Sequence, residues 1–383
     1  MSERAYLDHN ASSPLRPEAM EAIITALAGA GNGSSVHREG RQARALIEAA
    51  REEVAALAGV TPGQIVFTSG GTEANAMALS PAWLGGARGK LFVSAVEHPS
   101  VLKGGQFAEA EIERLPVDRD GIVEFEDAEE RLRAWEGPFM VSLMLANNET
   151  GTIQPVEALA GVVHALGGVL HCDAVQAAGK LSLEAVARSA DLISISAHKF
   201  GGPKGAGALV LANGALGFAR PLLSGGGQER GYRAGTENVA AIAGFGVAAA
   251  VARREQPDYA LRVGALREAL ETELVRIAPD AVIFSRQAER IANTTCFAVA
   301  GMSAETLLMA FDLDGVALSA GSACSSGKVE RSHVLAAMGI APELTGAAVR
   351  VSLGWNSETR DAQQFAAAWQ RIYSKFQERR RAA

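Results

Sequence analysis

Three parts of this sequence carry side chains that could do chemistry together. Thr72 follows a pair of glycines, Asp173 ends an apolar run, and Lys199 follows another apolar run. Glycines before a threonine at a helix start can offer N–H groups and a hydroxyl to an anion. A buried carboxylate needs a cationic partner, and a lysine in a partly dry cleft can act as an amine nucleophile or a base. Taken one at a time, each has a simpler interpretation as a helix cap or a solvated loop residue.

The combination of these residues is more specific than any one of them. Pyridoxal 5′-phosphate (PLP) needs donors for its phosphate, a carboxylate for its pyridinium nitrogen and a lysine for its aldehyde. Thr72, Asp173 and Lys199 could supply these three contacts if the fold brings them to one place. The stretch TSGGTEAN, 68–75, matches neither a Walker A loop nor the GxGxxG pattern. The sequence therefore predicts a PLP site.

The elements that must position these residues alternate between short apolar runs and longer helical patterns. Six runs predict strands buried on both faces, at 64–67, 90–96, 139–145, 168–173, 191–196 and 207–211. Helical patterns lie between them, as at 72–84 and at 155–166, which has Pro155 in its first turn and Gly167 as its stop. We therefore expect an α/β fold with a mostly parallel central sheet and helices on both faces. Ligands of such sheets bind at the carboxyl ends of the strands.

The chain is long enough for two domains, since it has 383 residues. The apolar run 239–252 predicts a buried helix, and 262–277 predicts a second, amphipathic helix. Strand-like runs follow at 296–301 and 349–354. We expect a large PLP-binding domain at 13–255 and a smaller α+β domain formed by 1–12 and 256–383.

The composition limits the classes of function. A formal net charge of −7 argues against nucleic acid as a direct partner. The apolar run 239–252 is too short to span a bilayer, and the first residues contain no apolar signal segment. The chain has three cysteines, Cys172, Cys296 and Cys324, whose spacing suits neither a disulfide framework nor a zinc site. We expect a cytoplasmic protein without a metal centre.

Ten stretches of the sequence, in order, resemble one enzyme family. They are YLDHNASSP, NGSSVHREGR, TSGGTEAN, VEHPSV, NNETGTIQP, HCDAVQAAGK, SAHKFGGPKG, GGGQERGYRAGTENV, GSACSSGK and VRVSLG. Through them nearly the whole chain is similar to the cysteine desulfurases, in the class V aminotransferase group of fold-type I PLP enzymes. The spacing between Cys324 and Arg350 resembles that of the longer-loop, iron–sulfur and nitrogen-fixation-type members. Two departures, Gly33 in place of a proline and DHNASS near the start, lie outside the central chemistry.

The resemblance implies a role toward PLP for each matching residue. Lys199 would form the Schiff base, and Asp173 would pair with the pyridinium nitrogen. Gln176 would hydrogen-bond the ring hydroxyl, and His98 would stack on the ring and assist proton transfer. The phosphate would be held by Gly71, Thr72, Ser196 and His198.

The resemblance also implies a substrate site and an assembly. Arg350 would grip the carboxylate of L-cysteine with a bidentate fork, Asn148 would support that carboxylate beside the cofactor, and Asn32 would assist. Thr236 would reach the phosphate from a neighbouring subunit, which implies a homodimer with composite active sites.

Cys324 lies among glycine, alanine and serine in SAGSACSSGK, 319–328. The resemblance implies that its thiolate attacks the sulfur of the substrate, keeps it as a persulfide and releases L-alanine. The sulfur would then pass to an acceptor protein, such as an iron–sulfur scaffold or another sulfur carrier. Because small residues give a tether mobility, we expect 322–332 to be mobile when no substrate is bound.

Other functions stay open at this point. A selenocysteine lyase or an aminotransferase of the same fold would use Lys199 and Asp173 as well, although an aminotransferase would not need Cys324. A sulfur-relay or scaffold protein without catalysis would not need to keep Lys199, Asp173 and Arg350 together.

Overall fold

A seven-stranded sheet forms the centre of the computed structural model, which describes residues 4–85, 89–214, 216, 220–320 and 331–382. The strands are β1 Ala5–Tyr6, β2 Ile65–Thr68, β3 Lys90–Ser94, β4 Ile112–Leu115, β5 Phe139–Ser142, β6 Val169–Asp173, β7 Leu192–Ser196, β8 Gly207–Leu211, β9 Val282–Ile283, β10 Thr294–Ala298, β11 Val316–Ala317, β12 Ser319–Ala320 and β13 Val349–Ser352. The large sheet has the order β2-β8-β7-β6-β5-β3-β4, with β8 antiparallel to β2 and β7 and the other four pairings parallel. The predicted mostly parallel sheet is confirmed.

All six predicted strands are present, and both faces of the sheet are covered. Along β2, Ile65 and Phe67 belong to one hydrophobic layer and Val66 to the other. Alternate residues of a strand point to opposite faces, so a sheet buried on both sides requires continuous apolar sequence. The sequence did not reveal the edge strand β4, because its residues IERL are charged and mostly only half-buried.

Twelve α-helices lie in the described part of the chain. They are α1 Pro17–Leu27, α2 Arg38–Ala58, α3 Gly71–Ala78, α4 Pro99–Leu102, α5 Phe125–Ala134, α6 Val156–Ala165, α7 Glu184–Ser189, α8 Val239–Ile277, α9 Ala304–Leu313, α10 His333–Ala337, α11 Pro342–Thr345 and α12 Thr359–Ala382. None of these helices has both the length and the apolar character needed to cross a membrane.

Two helix predictions are corrected by the structure. The helix predicted over 72–84 ends at Ala78, because Ser80 caps a new 3₁₀ helix that starts at Pro81. The two helices predicted at 239–252 and 262–277 are one helix, α8, which continues through Pro257. The predicted domain boundary after residue 255 therefore lies inside a helix.

A second hydrophobic core surrounds the C-terminal half of α8. Its sheet has the order β12-β13-β10-β9, and β1 pairs with β11 beside it. Phe311 stacks on Phe365 and Trp369, and Ala5 and Leu7 from the chain start pack into the same core. The residues of this core come from the chain start and from the part after residue 255. We therefore propose a large domain at 13–255 and a smaller domain formed by 1–12 and 256–383.

Candidate functional site

One cavity of about 340 Å³ lies at the carboxyl ends of the parallel strands. Ten of the thirteen predicted site residues line it, namely Gly71, Thr72, His98, Asn148, Asp173, Gln176, Ser196, His198, Lys199 and Arg350. Nine of them come from segments at or after the ends of β2, β3, β5, β6 and β7, whereas Arg350 comes from β13 of the second sheet. The cavity is therefore closed by residues of both cores.

The start of α3 and the end of β7 form a cradle for an anion. Helix α3 begins at Gly71, so its first N–H groups, with Thr72 among them, lack partners within the helix. The hydroxyl of Ser196 is buried and has no hydrogen-bond partner in the described structure. A Cβ atom on Gly71 would lie 2.8 Å from Cγ2 of Val175, so only glycine allows this close approach. Unpaired donors around a narrow space suit a phosphate group.

His198 lies at the same cradle in a short 3₁₀ helix after β7. Its Nδ1 is 3.4 Å from the hydroxyl of Ser12. Burial, together with the charges of Lys199, Lys204 and Lys180, lowers the pKa of His198 to about 4. The ring is therefore neutral at pH 7 and can donate to an anion from one nitrogen only.

Asp173 ends β6 as a nearly buried carboxylate, 5% exposed. Its Oδ2 accepts a 2.8 Å hydrogen bond from Nδ2 of Asn75, and its Oδ1 accepts a 2.9 Å bond from the N–H of Val175. Both donors are neutral. They hold the carboxylate in place without neutralising it, so the cavity favours a ligand that brings a cationic N–H.

The chain start holds the side chain of Lys199. Its Nζ donates to the main-chain oxygens of Asn10 at 2.6 Å and Ala11 at 3.1 Å. Both acceptors are neutral, so the amine of Lys199 can break these hydrogen bonds and form them again. Sequence reasoning did not assign Asn10 a role, although it lies in the first matching motif.

His98 caps α4 and faces the same cavity. Its Nδ1 accepts from the N–H of Ser100 at 3.2 Å and lies 2.7 Å from the Ser100 hydroxyl. The neutral ring therefore carries its proton on Nε2. Burial lowers the pKa of His98. The negative charge of Asp173 raises that pKa in part, and the charges of Lys199 and His333 lower it.

Arg350 is 3% exposed and points into the cavity from β13. Its Nη1 donates to the main-chain oxygen of Asn148 at 2.9 Å, and its Nη2 donates to Oδ1 of Asp8 at 2.8 Å. Its Nε is buried without a hydrogen-bond partner in the described structure. The terminal nitrogens of the predicted fork are thus already engaged, and Asn148 contacts Arg350 through its backbone. Sequence reasoning missed Asp8.

Two of the predicted residues that the structure describes do not line this cavity, and a third is not described. Oδ1 of Asn32 accepts from the N–H of Ser34 at 2.9 Å, in the turn before α2. Thr236 lines a separate cavity beside Ser69 and Gly205. Cys324 lies in 321–330, outside the described residues.

The predicted mobile segment 322–332 needs a correction at its end. Residues 322–330 lie outside the described part of the chain. Ser332, however, is buried, caps α10 and donates to Oε2 of Glu149 at 2.5 Å. His333 follows it and contacts the main-chain oxygen of Glu97 at 2.9 Å. The far end of the cysteine segment is therefore anchored beside the cavity.

The cavity fits PLP on its own chemistry. An unpaired buried hydroxyl at Ser196 and the start of α3 suit a phosphate, Asp173 suits a pyridinium N–H, and Lys199 suits an aldehyde. In the described residues, no group of three or more His, Cys, Asp or Glu side chains is arranged to hold a metal.

Comparisons with known proteins agree with this reading of the cavity. The family model "Aminotransferase class-V" matches residues 5–365. "Cysteine desulfurase IscS" of Dictyoglomus turgidum is 40% identical over 98% of this chain and 96% of its own length. "IscS-like cysteine desulfurase" of Mycobacterium tuberculosis is 37% identical over 93% of both chains.

Solved structures show the same likeness in three dimensions. The X-ray structure of a NifS-like protein from Rickettsia africae superposes with a TM-score of 0.87 at 33% identity, covering 97% of this chain and all of that chain. The fold-type I fold is thereby confirmed. The chain belongs to the class-V aminotransferase family and, within it, to the PLP-dependent cysteine desulfurases.

Proposed function

We propose that this protein converts L-cysteine to L-alanine with PLP and transfers the sulfur, through a persulfide on Cys324, to an acceptor protein. The observation that carries the proposal is the convergence of Lys199, Asp173 and Arg350 on one cavity. Cysteine desulfurases use cysteine and pass its sulfur to acceptor proteins, and this cavity offers a contact for each part of such a reaction.

The residues that would hold the cofactor divide into three groups. The phosphate is assigned to Gly71, Thr72, Ser196 and His198. Asp173 is assigned to the ring nitrogen and Gln176 to the ring hydroxyl, while His98 covers the ring. Bound PLP supplies an electron sink that stabilises negative charge at the α-carbon of the substrate.

The chain's own residues then act on the substrate. Arg350 is assigned to orient the carboxylate and Asn148 to support it, because both line the cavity, whereas Asn32 could assist only if the turn before α2 approaches the substrate. Lys199 would hold the cofactor through its aldehyde, and as a free amine it would move the α-proton of the substrate. The neutral His98 has a proton on Nε2, which it can donate and later accept again.

Sulfur transfer is assigned to Cys324 on sequence grounds. Its thiolate forms an S–S bond to the substrate sulfur while the substrate Cβ–S bond breaks. The electron pair of that bond stays on Cβ, which takes up one proton, so the products are L-alanine and a persulfide. The other two thiols, Cys172 and Cys296, are buried, and burial raises the pKa of both. They are therefore poor nucleophiles at neutral pH.

The proposal extends to assembly and partners. Because Thr236 lies outside the cavity of its own chain, a homodimer that brings it to the phosphate of the neighbouring subunit is part of the proposal. The acceptor is a protein thiol or an iron–sulfur scaffold, and the location is the cytoplasm.

The test begins with purified protein and PLP. The protein should bind PLP with a visible colour, and borohydride should fix the cofactor on the peptide that contains Lys199. L-cysteine should yield alanine and, with a thiol reductant, an equal amount of sulfide. Cys324→Ser should keep the colour and lose both products, whereas Ser325→Ala in the same segment should keep both. Normal turnover by Cys324→Ser would refute the persulfide role, and failure to take up PLP would refute the enzyme.

A further inference from the structure

A second lysine, Lys180, is buried beside Lys199. It is 5% exposed and shares with Lys199 the lining of a small space of about 10 Å³ behind the main cavity. Its Nζ donates to Oε1 of Gln176 at 3.0 Å and to Oδ1 of Asn10 at 3.3 Å. Both acceptors are neutral amides. Burying an amine that pairs with no carboxylate in these contacts is costly, so its position calls for a purpose.

Lys180 and the main-chain oxygen of Asn10 together fix which way the amide of Gln176 points. The oxygen and the nitrogen of an amide have nearly the same shape, so the hydrogen-bond partners determine their assignment. The N–H groups of Lys180 take Oε1 as their acceptor, and the main-chain oxygen of Asn10, which can only accept, takes Nε2 as its donor. Nε2 of Gln176 is directed the other way and donates to the main-chain oxygen of Asn10 at 2.9 Å. Gln176 and Asn10 both line the main cavity, so Nε2 lies on the cavity side of the amide, and its second N–H takes no part in the hydrogen bonds of the described residues.

The same network fixes Asn10. Its Oδ1 accepts from Lys180 and from Nδ2 of Asn293 at 2.9 Å, so its Nδ2 donates to Oγ1 of Thr294 at 2.8 Å. Its main-chain oxygen accepts from both Gln176 and Lys199. One residue of the chain start thus joins Lys180 to the reacting lysine.

We propose that Lys180 is a positioning residue, which fixes the amide of Gln176 with its N–H groups toward the cavity and thereby makes it a donor to the ring oxygen of PLP. The inference rests on the proposed PLP site. A donor at that oxygen stabilises its anionic form, and this favours the deprotonated state of the nitrogen that links Lys199 to the cofactor.

The positive charges around Lys180 also favour the deprotonated state of that nitrogen. The ionisable groups that face it are His9, Arg16, His198, Lys199, Tyr259 and Arg350. Burial lowers the pKa of Lys180 well below its usual value, and the charges of Lys199 and Arg350 lower it further. Burial also lowers the pKa of His9 to about 3, with Lys180 contributing. Whatever positive charge remains on Lys180 disfavours a proton on its neighbours.

The test is Lys180→Met, which keeps the length of the side chain and removes its donors. The readout is the pH titration of the visible absorption of bound PLP in the intact holoenzyme. We expect the titration midpoint to rise by about one pH unit and the Kd for PLP to rise about tenfold. Lys103→Met, at an exposed lysine, is the matched control and should change neither value.

Two further variants separate positioning from general damage. Lys180→Arg keeps a hydrogen-bond donor at this position, and the titration midpoint should return toward that of the wild type. Gln176→Leu should raise the midpoint by itself, and adding Lys180→Met to it should add little, because the two residues act as one unit. Melting of the cofactor-free variants checks that the fold is intact.

The outcomes also separate this inference from the proposed function. A wild-type protein that binds no PLP would remove the proposed function and the inference together. A wild-type protein that binds PLP, with a Lys180→Met variant that has the same midpoint and the same Kd, would overturn the inference alone. Full additivity with Gln176→Leu would also overturn it.

Discussion

Replacing Glu229 by Gln should destabilise the fold more than any surface charge change. Glu229 forms a bidentate ion pair with Arg51, with both N–O distances at 2.8 Å and side-chain exposures of 2% and 5%. Its Oε2 also accepts from the N–H of Phe67, inside β2. The ion pair therefore connects two parts of the chain. One is strand β2, which leads to the phosphate cradle, and the other is the loop that contains Thr236.

The expected loss follows from the burial of Arg51. Gln keeps the volume and one acceptor, but it leaves a buried guanidinium charge without its counter-charge, which costs about 3 kcal/mol. Arg51 has a second, half-exposed partner in Glu48, so we expect a loss at the lower end of the range for buried ion pairs, which is about 3–5 kcal/mol. With an unfolding entropy of about 2.1 cal/mol/K per residue, a chain of 383 residues loses about 4 °C in Tm.

The assay is thermal unfolding at a fixed protein concentration, with and without PLP. Glu48→Gln is the matched control, because it removes the other carboxylate from the same arginine at the surface and should lower Tm by about 1 °C. The double variant Arg51→Met/Glu229→Met should regain stability relative to Glu229→Gln. Equal Tm losses for Glu229→Gln and Glu48→Gln would refute the reasoning from burial.

Three further predictions follow from the site and the core. Gly71→Ala should weaken PLP binding about tenfold in a binding titration, because the new Cβ meets Val175 at 2.8 Å, and adding Val175→Ala should restore part of the loss. Arg350→Lys should raise KM for L-cysteine about 10- to 100-fold while leaving the absorption of bound PLP unchanged, and an unchanged KM would exclude Arg350 from the carboxylate site. Burial lowers the pKa of His9 to about 3 and of His171 to about 4, whereas both have a pKa of about 6.5 in the unfolded chain. The unfolded chain therefore binds more protons as the pH falls through about 6.5, and the difference approaches two near about pH 5. The contribution of these residues to stability is complete above about pH 6.5 and should fall with a slope that approaches about 2.7 kcal/mol per pH unit near pH 5. His171→Asn should halve that part of the slope in melting curves taken between about pH 7 and pH 5.

The sequence revealed the parts of the site that strands deliver. Asp173 and Lys199 lie at or just after apolar runs, and the carboxyl ends of parallel strands share one edge of a sheet. Their convergence therefore follows from the periodicity alone. The roles of Gln176 and His98 required the family resemblance, because a single amide or histidine has many structural uses.

The residues that the sequence did not reveal act across the two cores or through the backbone. Asp8 and Asn10 precede the first long helix and reach Arg350, Lys199 and Lys180 across more than a hundred residues of chain. Asn10 holds Lys199 through a main-chain oxygen, which every residue type possesses. Neither pattern nor residue type could predict that contact.

The two-core construction explains why the chain start lies where it does. Leu7 is buried in the second core, while Ser13 donates its N–H to the main-chain oxygen of His198 in the first. The segment between these two anchors is short, so Asp8 and Asn10 have little freedom. Asp8 then meets Arg350 from the second sheet, and Asn10 meets Lys199 from the first. Any relative shift of the two cores would change the distance between the group that orients the carboxylate and the amine that moves the proton. Helix α8, which runs through both cores, and this short segment both resist such a shift.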